Sequence, residues 1–301
     1  MIVRDPPSSL LLFFVVQGSV VPKIIGKIVG VTLLSVGVFL VDQHVLTLPH
    51  ISIAAMGVFG VALSLFLGFR NNAAYDRWWE ARKLWGSLIA DVRTLAHQAS
   101  VFLHAEEDRK HLLSYAVAFV HLHRGTLREV NVHSEIVDWI EEDSAAGLIA
   151  KSNPAAAALR SMADLTGQLA KNETLNGFGQ MALSQTLSSL AAAQAGCERI
   201  ATTPLPFVYS LLVRRTTYLY CWLLPFALIE SANWFTPVLA AVVAYVFFGL
   251  QAVTNELEHP FRNAQNGLPL DAMCRTIEIS VAEALNMQPP IPLTTKNHLL
   301  S

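Results

Sequence analysis

Charge is scarce in this sequence. Asp, Glu, Lys and Arg make up 15% of its 301 residues, against about 25% in an average soluble domain. The formal net charge of −2 leaves no basic footprint for a nucleic-acid partner. Cysteine is nearly absent too. Cys197, Cys221 and Cys274 lie far apart and form no C-x-x-C pair, which excludes a zinc ribbon or a redox motif and reads as buried, unreactive thiols. There is no P-loop, no G-x-S-x-G and no G-x-G-x-x-G, so the chain offers no enzyme signature, no catalytic residue and no cofactor site. The one candidate metal cluster is His97, His104, Glu107 and His111, the last three read as sharing a helix face with His97 one heptad earlier. No H-E-x-x-H occurs there and the flanking AEEDRK reads as solvated surface, so no metal is expected. His121 and His123, two apart, fall on different faces of a helix. An alternating strand pattern and internal repeats are also missing.

What is present is apolar length. Residues A, V, I, L, M, F, W, Y and C make up 53% of the chain, and a membrane-spanning helix needs about 20 mostly apolar residues. Four segments come close. The first is Ile25–Val41, with Lys27 near its start, where the side chain can snorkel. The second, Ile51–Phe69, and the fourth, Phe235–Val253, are uncharged. The third, Tyr218–Ile229, extends back to Pro204 but is interrupted by Arg214 and Arg215.

Basic residues are missing from both short links, Asp42–His50 and Glu230–Trp234. Of the 21 Lys and Arg, 3 fall in residues 1–27, 15 in 70–217 and 3 after 261. The positive-inside rule then places both termini and the long middle segment in the cytosol. Leu10–Val16 is too short to span and reads as a short interfacial or packed helix. No small-residue cleavage pattern follows it, against a signal peptide. The organisation is therefore an N-terminal segment (1–24), spans one and two (25–69), a cytosolic helical region (70–203), spans three and four (204–253) and a cytosolic C-terminal segment (254–301).

The cytosolic region reads as helical. Leu84, Leu88, Val92, Leu95, Ala99 and Leu103 recur at three-to-four spacing. Asn153-Pro154 predicts an N-cap with proline at the first helical position, ahead of AAAALRSMADLTGQLAK. Ser184–Ile200 is a further helical run.

The second span carries the most informative pattern. Val61, Leu65 and Phe69 form one apolar stripe, and Gly60, Ser64 and Gly68 form a stripe of small residues beside it. Small residues at every fourth position let membrane helices approach closely. The large stripe then faces lipid, another helix, or a narrow pore gated by dewetting. Directly afterwards Arg70–Trp85 packs three Arg, one Lys, two acids, three Trp and a Tyr into sixteen residues. An interfacial aromatic belt explains such residues singly but not their density.

GFRNNAAYDRWWEARKLWG after an uncharged span resembles the bestrophin family, its bacterial branch especially. Cys197-Glu-Arg-Ile with Thr203-Pro-Leu-Pro-Phe-Val-Tyr209 resembles the approach to that family's third span, and Asn255-Glu-Leu-Glu-His-Pro-Phe261 the segment after its fourth. The resemblance covers about residues 1–285. It implies an all-α integral membrane protein, a homopentamer around one axial pore in the bacterial inner membrane, with lipid and permeating monovalent ions (chloride or Na/K) as its other partners. By position, Val61, Leu65 and Phe69 would line the pore neck. Phe178, or Met181 one turn on, would form a cytosolic aperture. Calcium-activated animal members carry an acidic run after the Asn-Pro-Phe segment; here Pro260-Phe261 leads into Arg262-Asn-Ala-Gln-Asn-Gly267, so no calcium clasp of that type is expected. The rival readings are a membrane transporter, which would show repeats and intramembrane charges, and a non-conducting scaffold.

Overall fold

The computed structural model describes residues 1–2, 15–295 and 297–300. Most of the segment 10–16 read as an interfacial helix thus lies outside the described residues. Ten α-helices carry the described chain, and it divides into two compact units.

The first unit comprises Asp5–Trp78 and Pro204–His259. Helix α1 (Val21–His44) opens on Pro22, whose missing N–H costs nothing in the first turn. Helix α2 (Ile53–Phe102) starts in this unit and runs for 50 residues. Helix α8 (Phe207–Ala232) is continuous through Arg214 and Arg215, both exposed, so the two cations do not interrupt the third apolar helix. Asn233, at φ 47°, and a 3₁₀ turn over Asn233–Phe235 lead into α9 (Thr236–Leu257). Two ring pairs fix the connection as a hairpin. Tyr220 lies 5.1 Å from Phe247 and Tyr218 lies 5.0 Å from Phe248, positions that mirror each other about Asn233. Ile24, Met56, Leu63, Leu67, Tyr220 and Phe248 belong to the core that holds the four helices together.

The outside of this unit is apolar as well. Leu33, Val58, Phe207 and Val242 are among many large hydrophobic side chains left more than half exposed. A soluble protein rarely shows so much contiguous apolar surface, whereas a bilayer is its natural solvent. The stretches Val21–His44, Ile53–Phe102 and Phe207–Leu257 are long and apolar enough to cross one.

The second unit comprises Met1–Arg4, Trp79–Thr203 and Pro260–Ser301. It takes the rest of α2, then α3 (Glu106–Arg128), the short α4 (His133–Ile136) and α5 (Glu142–Ile149), α6 (Pro154–Lys171), α7 (Gly177–Thr202) and α10 (Leu270–Ala284). Helix α3 is its axle: Leu112–Ser114 and Ala116–Gly125 are all buried, among α6, α7 and α10. The predicted cap is present, with Asn153 Oδ1 accepting from Ala156 N at 3.0 Å. The predicted seam is present too, with Leu88, Val92, Leu95 and Ala99 fully buried. The predicted histidine face is not. Helix α2 ends at Phe102 and α3 begins at Glu106, so His104 sits in the link and does not share a helix with Glu107 and His111.

Candidate functional site

Helix α2 presents two faces in the apolar unit. Met56, Leu63, Leu67, Arg70 and Ala74 are buried at three-, four- and seven-residue steps, the spacing that keeps one stripe against its neighbours. Val61, Leu65 and Phe69 lie off that stripe and are 70%, 56% and 57% exposed. The structure therefore lines these three up as a bare apolar ridge, four residues apart. The small stripe divides. Gly60 meets α8 so closely that a Cβ there would sit 2.6 Å from the Tyr220 hydroxyl oxygen. Ser64 is exposed and bonds back to the Val61 carbonyl at 2.8 Å, and Gly68 faces open space.

The ridge ends at Phe69, and the next residue is a buried cation. Arg70 is 1% exposed; its Nη2 donates to Asn255 Oδ1 at 3.1 Å and to Glu258 Oε2 at 3.2 Å. Two turns on, Arg77 Nε donates to the Glu258 carbonyl at 3.0 Å. Both arginines thus hold the last turn of α9, which fixes α2 at the point where its apolar stretch stops. Neither arginine stands out in the sequence as a clamp, because the density of Trp and Arg around them suggests a surface belt. The seven-residue step from Arg70 to Arg77, in phase with Leu63 and Ala74, is the signal that marks Arg70 as part of the seam.

On the other unit, Phe178 and Met181 are 79% and 63% exposed on the first turns of α7. Asn176 caps this helix, accepting from Gly179 N at 2.8 Å. Gly179 itself has no room for a side chain: a Cβ would meet Leu175 at 2.6 Å and Phe102 at 2.9 Å. The start of α7 is therefore pressed onto the end of α2 with Phe178 and Met181 left bare.

The segment after Pro260-Phe261 is held by a guanidinium. Arg128 donates to the carbonyls of Phe261 (3.2 Å) and Leu268 (3.0 Å) and to Asp271 Oδ2 (2.7 Å). Arg124 takes the other Asp271 oxygen and Glu135. Burial alone would raise the Asp271 carboxyl, but Arg128 and Arg124 outweigh it and hold it below its ordinary range. Deeper in the unit His121 bonds Glu278 at 2.6 Å. His123 is stacked between Trp85 and Phe119, and burial lowers its pKa to about 4. Burial pushes the Cys197 and Cys274 thiols up to about 12, which leaves them protonated and inert. Among the described residues no group of three His, Cys, Asp or Glu side chains is placed to hold a metal ion.

Residues 1–283 match the family described as Bacterial/Fungal Bestrophin protein. The chain belongs to the bestrophin family. Among its relatives, the voltage-dependent anion channel-forming protein mll4386 of Mesorhizobium japonicum is 43% identical over 304 residues, covering 100% of this chain and 97% of the relative. The Escherichia coli voltage-dependent anion channel-forming protein YneE is 36% identical over 293 residues, covering 97% and 96%. The crystal structure of a bacterial bestrophin homolog from Klebsiella pneumoniae superposes with a TM-score of 0.83 at 34% identity, covering 88% of this chain and 100% of that one. The bestrophin match and the helical fold agree: this is a membrane protein of an ion-channel family.

Proposed function

We propose that this bestrophin is the pore-forming subunit of a small-anion channel, a homopentamer in the bacterial inner membrane with four spans per subunit and both termini cytosolic. The observation that carries the reading is the two-faced α2. Leu63 and Leu67 are consumed by the subunit's own core, while Val61, Leu65 and Phe69 stand bare at one-turn intervals. One helix face cannot enclose a path, so a pore requires several copies around an axis. Five ridges would then stack as three apolar rings, a neck whose barrier depends on wetting and side-chain size and not on a fixed charge. Phe178, with Met181 one turn on, would form the cytosolic aperture in the same way. The names of the relatives favour anions over cations. The hold of Arg128 on the segment after Pro260 supports independence from calcium, since a built-in cation already binds its carbonyls.

The test is current through purified protein in a planar bilayer under a KCl gradient. A reversal potential at the chloride equilibrium value is expected. Reversal at the potassium value would overturn the anion assignment. Silence from both the native protein and Leu65→Ala would move the protein to the transporter or scaffold class.

A further inference from the structure

The exposed line on α2 does not stop at Phe69. A step of seven residues along a helix returns to within about 20° of the same line after about 10 Å of rise. Asn72 stands in this way two turns beyond Leu65, and Asp76 two turns beyond Phe69. Both are exposed. The line thus passes from three apolar side chains to an amide and then to a carboxylate.

Three charged residues fall between Val61 and Trp78, and two of them are engaged elsewhere. Arg70 is buried against Asn255 and Glu258, and Arg77 donates to the Glu258 carbonyl. Asp76 makes no ion pair and no hydrogen bond among the described residues. Its carboxylate is therefore the first uncommitted charge past the ridge. An exposed acid is ordinarily solvated surface; what sets Asp76 apart is its place on the line of Val61, Leu65 and Phe69. The next such charge on that line is Lys83, two further turns along the helix and likewise exposed. By helical rise Lys83 lies about 21 Å beyond Phe69. The Debye length is about 10 Å at 0.1 M salt, so the field of Asp76 reaches the end of the ridge and that of Lys83 is screened before it.

We infer that Asp76 is a selectivity residue of the channel: five copies place a ring of carboxylates at the cytosolic mouth of the neck, where it concentrates cations and depletes anions. The inference rests on the pore reading of Val61, Leu65 and Phe69. The neck carries no charge of its own, so it cannot sort ions by sign. Sorting falls to the nearest fixed charge at its mouth. The ring limits the preference for anions and acts from one side only. It opposes anion entry from the cytosol and not from the opposite side, so anion current through the native channel should be larger in the direction that carries anions inward.

Reversal potentials of the purified full-length protein in a planar bilayer, under KCl gradients, test this. Asp76→Asn should raise the chloride-to-potassium permeability ratio about threefold or more near 0.1 M salt. It should also reduce the rectification. Asp76→Lys should raise the ratio further, and Asp76→Glu should keep the native value. Near 1 M salt, where the Debye length falls to about 3 Å, native and Asp76→Asn protein should converge. Leu65→Ala, run alongside, separates the two levels of the argument. An altered conductance in Leu65→Ala with a native reversal potential in Asp76→Asn and Asp76→Lys keeps the pore and overturns the role of Asp76. An unaltered Leu65→Ala overturns the pore reading, and this inference with it. A shift in Asp76→Asn of equal size at both salt concentrations also overturns the inference, since a screened charge at the mouth cannot produce it.

Discussion

Arg70 and Glu258 meet at 3.2 Å in a protein seam, with side chains only 2% and 10% exposed. The pair stands one residue beyond the apolar ridge, at the foot of α9. A buried pair of this kind is weak as a net stabiliser but costly to break, because the survivor keeps its charge without a partner. Arg70→Met should therefore destabilise the protein by roughly 3–5 kcal/mol, and Glu258→Leu by a similar amount. The double variant Arg70→Met/Glu258→Leu should recover most of that loss. Denaturation midpoints of the three variants in one detergent decide the matter; additive losses would show that the two side chains do not act as a pair.

The ridge and the seam of α2 make opposite predictions for the same chemical change. Leu65→Ala removes an exposed side chain, so stability should hold while the neck widens and conductance rises. Leu63→Ala, two residues earlier and 2% exposed, should cost about 2–5 kcal/mol through the cavity it leaves. It should change conductance little in protein that remains folded. Thermal melts and single-channel currents on both variants check this. Equal currents from native and Leu65→Ala protein would remove Leu65 from the pore.

The sequence encodes some elements of this fold locally and others only at long range. The apolar helices were legible because bilayer burial writes itself as uninterrupted hydrophobic runs, and the order of those runs survives in α1, α2, α8 and α9. The cap at Asn153 and the seam Leu88–Ala99 were legible because both obey local spacing. Two things were not. The unbroken α8 was hidden by Arg214 and Arg215, since composition registers a charge but not whether its long side chain points away from the core. The clamp at Arg70 was hidden because its partners, Asn255 and Glu258, lie 185 and 188 residues away. No local pattern encodes a contact of that range. The exposed positions Val61, Leu65 and Phe69 were readable as a stripe, but the sequence left lipid, helix and pore open as what they face.

Gly60 is a point of enforced approach between α2 and α8. A Cβ there would lie 2.6 Å from the Tyr220 hydroxyl oxygen and 3.1 Å from the ring carbon that bears it. Gly60→Ala should thus force a shift of ring or helix and cost about 1–3 kcal/mol. Removing the hydroxyl in the same protein, Gly60→Ala/Tyr220→Phe, should relieve part of the clash and restore part of the stability. Gly68→Ala, where nothing lies within 4 Å of the added carbon, is the matched control and should be neutral or slightly stabilising. The order of melting temperatures should be Gly68→Ala highest, then the double variant, then Gly60→Ala.

His123 makes the stability of the second unit depend on pH. Its ring lies 5.7 Å from Trp85 and 6.0 Å from Phe119, and neither ring nitrogen has a partner among the described residues. Burial lowers its pKa from 6.5 to about 4, with the charge of Glu198 opposing that only in part. The folded state therefore binds the proton less readily than the unfolded chain. The contribution is fully present above pH 6.5 and drains away as pH falls toward 4. Over that interval the shift corresponds to about 3 kcal/mol. His123→Phe should keep the stack with both neighbours and remove the unpartnered nitrogens, so stability at neutral pH should hold or rise. Its unfolding free energy should fall less steeply than that of the native protein as pH drops from 6.5 to 4. Parallel slopes for the two proteins across this window would mean that His123 finds a partner in the folded state and stays protonated as readily as in the unfolded chain.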